Sequence, residues 1–240
     1  ANIVHYQCAT NTGIAEGNNI GMKMALDDGC SSVCICNNDI EFSQVNLLSK
    51  LVELVETDEN VIISPKIYMP GTSKQLLWYA GGKFLWYRGS VWHDGYNQAD
   101  DGSFNTIRYV DFAPACFLVF SSRVIQQVGF MDPKYFVYVD DADYILRARN
   151  AGVKILYHPE FEIVHKVSSS TGGVLSDFGL YYNTRNRVYW IRKFFSGASK
   201  YVSLFYIPLQ MTWKCLAAGK PKSLSKVLKG YSDGFSISLK

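Results

Sequence analysis

A chain of 240 residues with 48% hydrophobic and 15% aromatic residues has the apolar material for one large core, or one core with an appendage, which excludes a disordered or low-complexity chain. The formal net charge is only +3, but it is divided: residues 185–240 carry 11 Lys/Arg against one acid, Asp233, a balance of +10 that leaves −7 for residues 1–184. A basic tail on an acidic body points to an anionic surface as partner and gives no continuous basic groove for nucleic acid.

Strand and helix signals alternate at first. Residues 2–6, NIVHY, read as a strand, 17–28 as a helix ended by Gly29, and 31–36, SSVCIC, as a buried strand. A helix over 44–56 puts Val45, Leu48, Leu51, Val52 and Val55 on one face, and the strand NVIISPKIY follows at 60–68. This rhythm predicts an α/β fold with a parallel or mixed sheet flanked by helices. Residues 70–105 break it with Gly, Asp and the aromatics Trp78, Tyr79, Trp86, Tyr87, Trp92 and Tyr96, as expected of a binding loop or lid. The run 107–121 is too long for one flat strand and predicts a bend at Pro114.

The β-branched run at 137–139 reads as a buried strand leading into a helix closed by Gly152; VKILYHP and FEIVHKV read as two short strands. From 174 onward the pattern is helical. The apolar stretch 201–213 falls short of the roughly 20 residues that span a bilayer, and Pro208 and Gln210 interrupt it. Over 222–231, Leu224, Val227, Leu228 and Tyr231 recur at helical spacing with Lys222, Lys226 and Lys229 off the stripe, which suits a helix lying on a membrane surface. The division expected is a domain over 1–198 and a basic amphipathic tail over 199–240. The six cysteines (Cys8, Cys30, Cys34, Cys36, Cys116, Cys215) have no CxxC spacing and read as reduced core residues of a cytoplasmic protein; Cys34 and Cys36 alternate onto one strand face, and no secretory signal opens the sequence.

Three stretches carry chemistry. In CICNNDI (34–40) a hydrophobic strand ends abruptly in Asn37, Asn38 and Asp39. Ligands of open α/β sheets bind beyond the carboxyl ends of strands, and an Asp there can hold Mg2+ or Mn2+ with the oxygens of a diphosphate; the same residues also suit a plain turn. In NTGIAEGNNIG (11–21), glycines between a strand and a helix permit close backbone approach to an anion, although the spacing is not the dinucleotide fingerprint. In VYVDDADYILRARNAG (137–152), Asp140, Asp141 and Asp143 crowd one helix start. Capping accounts for one or two of them, and mutual repulsion should raise at least one pKa into the range of a general base. His165, at the end of the strand EIVH, reads either as structural or as a metal ligand beside Asp39.

Taken in order, NTGIAEGNNIGMKMA, CICNNDIEF, VGFMDPKYFVYVDDADYILRARNAG, EIVH and YYNTRNRVYW resemble the family 2 glycosyltransferases over roughly residues 2–195. The VDDADY…H version is most similar to the galactofuranosyl- and rhamnosyltransferase branch. The resemblance implies the GT-A fold with a C-terminal helical appendage. It also implies inverting transfer from a nucleotide-diphosphate-sugar to a glycan or lipid-linked acceptor, assisted by Mn2+ or Mg2+, in cell-surface polysaccharide synthesis. Asp39 would be the last acid of the DxD-like motif, ligand of metal and diphosphate, with Asn37 and Asn38 beside it. Asp141 would be the catalytic base, Asp140 and Asp143 its acidic neighbours, and His165 the metal-proximal histidine. Asn11, Gly17 and Asn19 would flank the nucleotide site.

The sequence departs from the family in three places. NND has one acid where a full DxD has two. APAC (113–116) stands where a glycine is common, and the family's opening strand–helix–strand has no counterpart, so the chain is expected to start at the third strand of a longer protein. Two rival classes stand beside this reading. A sugar nucleotidyltransferase would carry a Gly-rich loop with a Lys or Arg, which is not visible; a non-catalytic carbohydrate-binding domain would not need Asp39, Asp141 and His165. With the basic tail, the expected location is cytoplasmic and peripheral on the inner membrane face.

Overall fold

The computed structural model describes residues 3–71, 76–166 and 173–239. Nine strands are described: β1 Ser32–Cys36, β2 Ile40–Phe42, β3 Val61–Tyr68, β4 Leu77–Tyr79, β5 Gly82–Leu85, β6 Ser90–His93, β7 Arg108–Tyr109, β8 Phe117–Ser121 and β9 Lys154–His165. The main sheet runs β1-β8-β3-β9-β2, with β4 also on β3 and β7 also on β9; β5 and β6 form a separate hairpin. The sheet is mixed: β3 and β9 are parallel, whereas β8 is antiparallel to both β1 and β3. All eight residues of β3 are buried, as expected of a central strand whose VIISPKIY run is covered on both faces.

β9 is one strand, not the two short ones expected. The HP break is absorbed as a register shift: Pro65 of β3 pairs with His158, and the next residue, Lys66, pairs with Glu162. Pro65 has no N–H for the ladder, so the slip falls where a bond is missing anyway. The bend near Pro114 is present, since β7 and β8 are separate strands. Of the stretch 70–105, in which residues 72–75 lie outside those described, β4 joins the main sheet and β5–β6 form a hairpin. Residues 3–6 are not a strand; Ile3, Val4 and Tyr6 are exposed, and no strand among the described residues pairs with them. The cysteine reading is half corrected. Cys116 and Cys215 are buried, but Cys30, Cys34 and Cys36 are exposed, because β1 is the outermost strand beside β8.

Among the described residues there are seven α-helices: α1 Gly13–Asp27, α2 Leu47–Thr57, α3 Ser122–Val128, α4 Asp140–Asn150, α5 Asp177–Phe194, α6 Gly197–Ala217 and α7 Leu224–Ser236, the last two packed on α5. α2 starts only after Asn46, which has a positive φ of 62°, so Leu47, Leu51 and Val55 face the core while Val45 points to solvent. α5 supplies Val188, Tyr189, Trp190 and Ile191 to the core and receives α7 on its far side. The α7 stripe is divided: Leu224 and Tyr231 are half-buried, Leu228 is 67% exposed, and the side toward α5 is packed. Val227 is buried, and a Cβ at Gly230 or Gly234 would lie 2.5 Å from Tyr181 O or 2.6 Å from Arg185 O, so these glycines let the two helix backbones touch.

Candidate active site

Asp39 and His165 meet because β2, which starts one residue after Asp39, pairs antiparallel with the end of β9, opposite His165. The Lys166 N–H donates to Asp39 O at 3.0 Å and fixes the turn on the strand end. Asp39 Oδ1 then lies 3.2 Å from His165 Nε2, yet among the described residues it has no partner of hydrogen-bonding geometry, nor has the buried His165 Nδ1. Burial lowers the His165 pKa, opposed by the neighbouring Asp39, so the imidazole is neutral near pH 7. A neutral imidazole nitrogen and an orphaned carboxylate oxygen at this separation are a donor pair for one divalent ion, whose adjacent ligands at about 2.1 Å stand roughly 3 Å apart. Among the described residues no group of three or more His, Cys, Asp or Glu could hold a metal, so the pair would need ligands from a bound substrate or water.

The acids of α4 are delivered by an irregular segment, not by the strand expected at 137–139. Phe136, Tyr138 and Val139 all have positive φ, at 64°, 64° and 68°. For a β-branched residue such as Val139 that conformation is strained, and something must hold it. The holder is Asn186 of α5. Its Nδ2 donates to Tyr135 O, Val137 O and Tyr138 O at 2.7, 2.6 and 2.9 Å, while Arg185 Nη2 donates to Lys134 O and Tyr135 O. From the other side the Ile14 N–H donates to Phe136 O at 2.6 Å; Gly13, at φ 82°, is the only residue type that fits there, since a Cβ would lie 2.3 Å from the same oxygen. YNTRNR is therefore the clamp of the acidic loop, and composition alone hid that role.

Asp140 is buried, and burial raises its pKa, with the charge of Asp141 adding to the shift and that of Asp143 contributing less. Burial also raises Asp141, but N–H groups of Ala142, Asp141 itself and Ala115 hold its carboxylate and moderate the effect. The Ala142 N–H donates to Asp141 Oδ1 at 2.7 Å. Asp140 thus keeps its proton to higher pH than Asp141, and Asp141 retains partial solvent access. The sites at 39 and 141 meet the same short stretch of chain, since the Asn37 N–H donates to Cys116 O at 2.8 Å and the Ala115 N–H holds Asp141, and burial pushes the Cys116 thiol up.

Asp143 takes a different part from the one expected. Fully buried, its Oδ1 accepts from Arg147 Nε of the same helix at 2.7 Å, and its Oδ2 accepts from Lys193 Nζ of α5 at 2.6 Å and Tyr135 Oη at 3.2 Å, so both oxygens are taken up in holding α4 in place. Of the expected nucleotide-flanking residues, Asn19 is engaged by Met131, donating to its carbonyl and accepting from its N–H. Asn11 accepts from the Gly13 N–H at the start of α1. Gly17 lines a groove between α1 and β1 that runs from Ser32 to Cys36, toward the turn holding Asn37 and Asn38. Of the aromatics at 78–96, Trp78 borders the site, edge-on to both His165 and His93 with ring centroids 4.7 Å apart in each case. Trp86 is packed on Trp190 and Phe195 of the helical layer, and Trp92 and Tyr96 remain exposed.

No family model matches the sequence. The chain is 24% identical over 191 residues to the low-salt glycan biosynthesis hexosyltransferase Agl10 of Haloferax volcanii, a match covering 77% of this chain and 59% of the relative. It is 24% identical over 198 residues to the dTDP-rhamnosyl transferase RfbF of Shigella flexneri, covering 79% of this chain and 64% of the relative. The chain therefore spans about three fifths of the length of the curated relatives it matches. In structure it is similar to GalNAc-T7 crystallised with UDP, GalNAc and Mn2+, with a TM-score of 0.62 over 96% of this chain and 44% of that one at 13% identity.

Proposed function

We propose that this chain, which has the GT-A fold and is similar to curated hexosyl- and rhamnosyltransferases, is a glycosyltransferase that moves a sugar from a nucleotide-diphosphate-sugar to a hydroxyl of a glycan or lipid-linked acceptor, with inversion. The observation that carries the reading is the split between two carboxylate sites at one short stretch of chain, 115–116: a buried acid pair at 140–141, and a neutral histidine beside a carboxylate without a hydrogen-bond partner among the described residues, at 165 and 39. Asp141, the member of its pair that ionises first, accepts the proton of the acceptor hydroxyl as that oxygen attacks the anomeric carbon. Asp140, protonated over the same range, leaves a single negative charge at the helix start. The nucleoside diphosphate departs on the opposite face, which is what inverts the centre. Asp39 and His165 fit a divalent ion, which when bound would neutralise charge on the diphosphate. Trp78, packed against His165, closes the site on that side with an apolar wall.

A thermal-shift screen tests this. Nucleotide diphosphates and nucleotide-sugars are added to the chain with and without Mn2+, because a ligand of the folded state raises the melting temperature by mass action. A metal-dependent shift is expected from at least one nucleotide, lost in Asp39→Ala and weakened in His165→Gln. Wild-type shifts in Asp39→Ala would return NND to a simple turn.

A further inference from the structure

We propose that the solvent face of α6 rests on an anionic lipid surface. Six large side chains lie exposed along this one helix: Tyr201 at 72%, Val202 at 46%, Phe205 at 70%, Leu209 at 55%, Trp213 at 68% and Leu216 at 56%. At the α-helical rotation they fall within one arc of about 120°, and no charged residue interrupts it. The opposite side of the helix, with Ser203, Ile207, Met211 and Cys215, is buried. Single exposed apolar residues are ordinary, but an unbroken face over a 21-residue helix is a contact surface. It is a different surface from the α7 stripe read from the sequence, one side of which packs on α5.

The charge around the face selects the occupant. α6 itself carries Lys200 and Lys214 off the apolar arc, and Lys220, Lys222 and Lys226 follow it in the chain. Arg88, from the turn between β5 and β6, lies over the Tyr206 ring at 5.9 Å and adds a cation along one flank. An apolar arc with aromatics toward both ends and cations at its margins matches the layered chemistry of an anionic bilayer interface. No helix among the described residues is long and apolar enough to cross a membrane, so α6 would lie along the surface. A second copy fits less well. The face is about 24 Å long and about 10 Å wide, so it offers about 240 Å2 where a stable dimer needs roughly 800 Å2 per partner, and two copies would bring cations against cations.

The test is flotation of the full chain with vesicles of phosphatidylcholine alone and of phosphatidylcholine mixed with phosphatidylglycerol. The wild type should float with the anionic vesicles, less with the neutral ones and less as salt is raised. Phe205→Ser combined with Trp213→Ser should reduce the bound fraction at least about tenfold, whereas Val45→Ser, exposed on the α2 side, should not. Both target side chains face solvent, so the melting temperature should hold. In the folded wild type, brominated phosphatidylglycerol should quench a tryptophan component that is absent from Trp213→Phe. Equal flotation of the double variant and the wild type would overturn the proposal. So would failure of the wild type to bind anionic vesicles at low salt, or a soluble dimer that the double variant abolishes.

Discussion

Replacing Asn186 by Ala should cost far more than a helix residue with a small polar side chain ordinarily does. Its Nδ2 donates to three carbonyls at 2.6–2.9 Å, Asn186 is fully buried, and those carbonyls belong to the segment containing three positive-φ residues. The amide has two hydrogens, so two good bonds are lost and the carbonyls are left facing a void. At about 1–3 kcal/mol for each buried group deprived of its partner, the loss is about 2–6 kcal/mol. For a chain of this size each kcal/mol lowers the melting temperature by about 2–4 °C, so a fall of roughly 4–24 °C is expected. Asn186→Asp should be worse than Ala, because it sets a carboxylate against the same carbonyls. Thermal or urea denaturation measures the stability, and sugar-transfer rate against donor affinity measures the consequence: transfer should drop with donor affinity kept, since the loop carries Asp141 and not the Asp39 site. An Asn186→Ala protein within about 0.5 kcal/mol of wild type would refute the clamp.

Asp141→Asn should lower transfer by roughly 10²–10⁴ with little change in melting temperature or donor affinity; a nearly fully active variant would assign the base elsewhere. Asp140 has a folded pKa raised above its unfolded value, so its contribution to stability is fully present below the unfolded value, near 4, and is lost as pH rises through the folded one. Asp140→Asn should therefore flatten the fall of melting temperature with rising pH and be more stable than wild type at neutral pH, which a pH series of melts will show. Asp143→Ala removes the partner of Arg147 and Lys193 and should destabilise the fold by about 3 kcal/mol, well beyond Asp141→Asn, as denaturant midpoints will compare.

The sequence was legible where a local pattern and the tertiary demand coincide. VIISPKIY is apolar throughout because both faces of β3 are covered, and CICNND announces a strand end because the polar residues begin where the sheet stops. It was illegible where long-range contacts override local preference. VYV at 137–139 has strand composition, but Asn186 binds the carbonyls of Val137 and Tyr138, the Ile14 N–H binds that of Phe136 just before them, and the segment takes left-handed conformations no propensity would suggest. The three acids at 140, 141 and 143 look alike in sequence; only the reach of Lys193 and Arg147 separates Asp143 from the other two. The α7 stripe follows helical spacing faithfully, yet spacing cannot distinguish lipid from a neighbouring helix, and Gly230 and Gly234 set one side of it against α5.

The position of β9 has a consequence for how the molecule comes into being. It is the last strand among the described residues, yet it lies inside the sheet, between β3 and β2. As synthesis proceeds, the edge of β3 that β9 will occupy waits open while more than eighty residues are added, and VIISPKIY is the kind of segment that pairs with whatever strand arrives first. A parallel pairing at that sequence separation is also slow to form. A nascent or truncated chain ending before Lys154 would therefore be prone to aggregate, and one that continues past His165 completes the sheet and joins Asp39 to its histidine in a single late event.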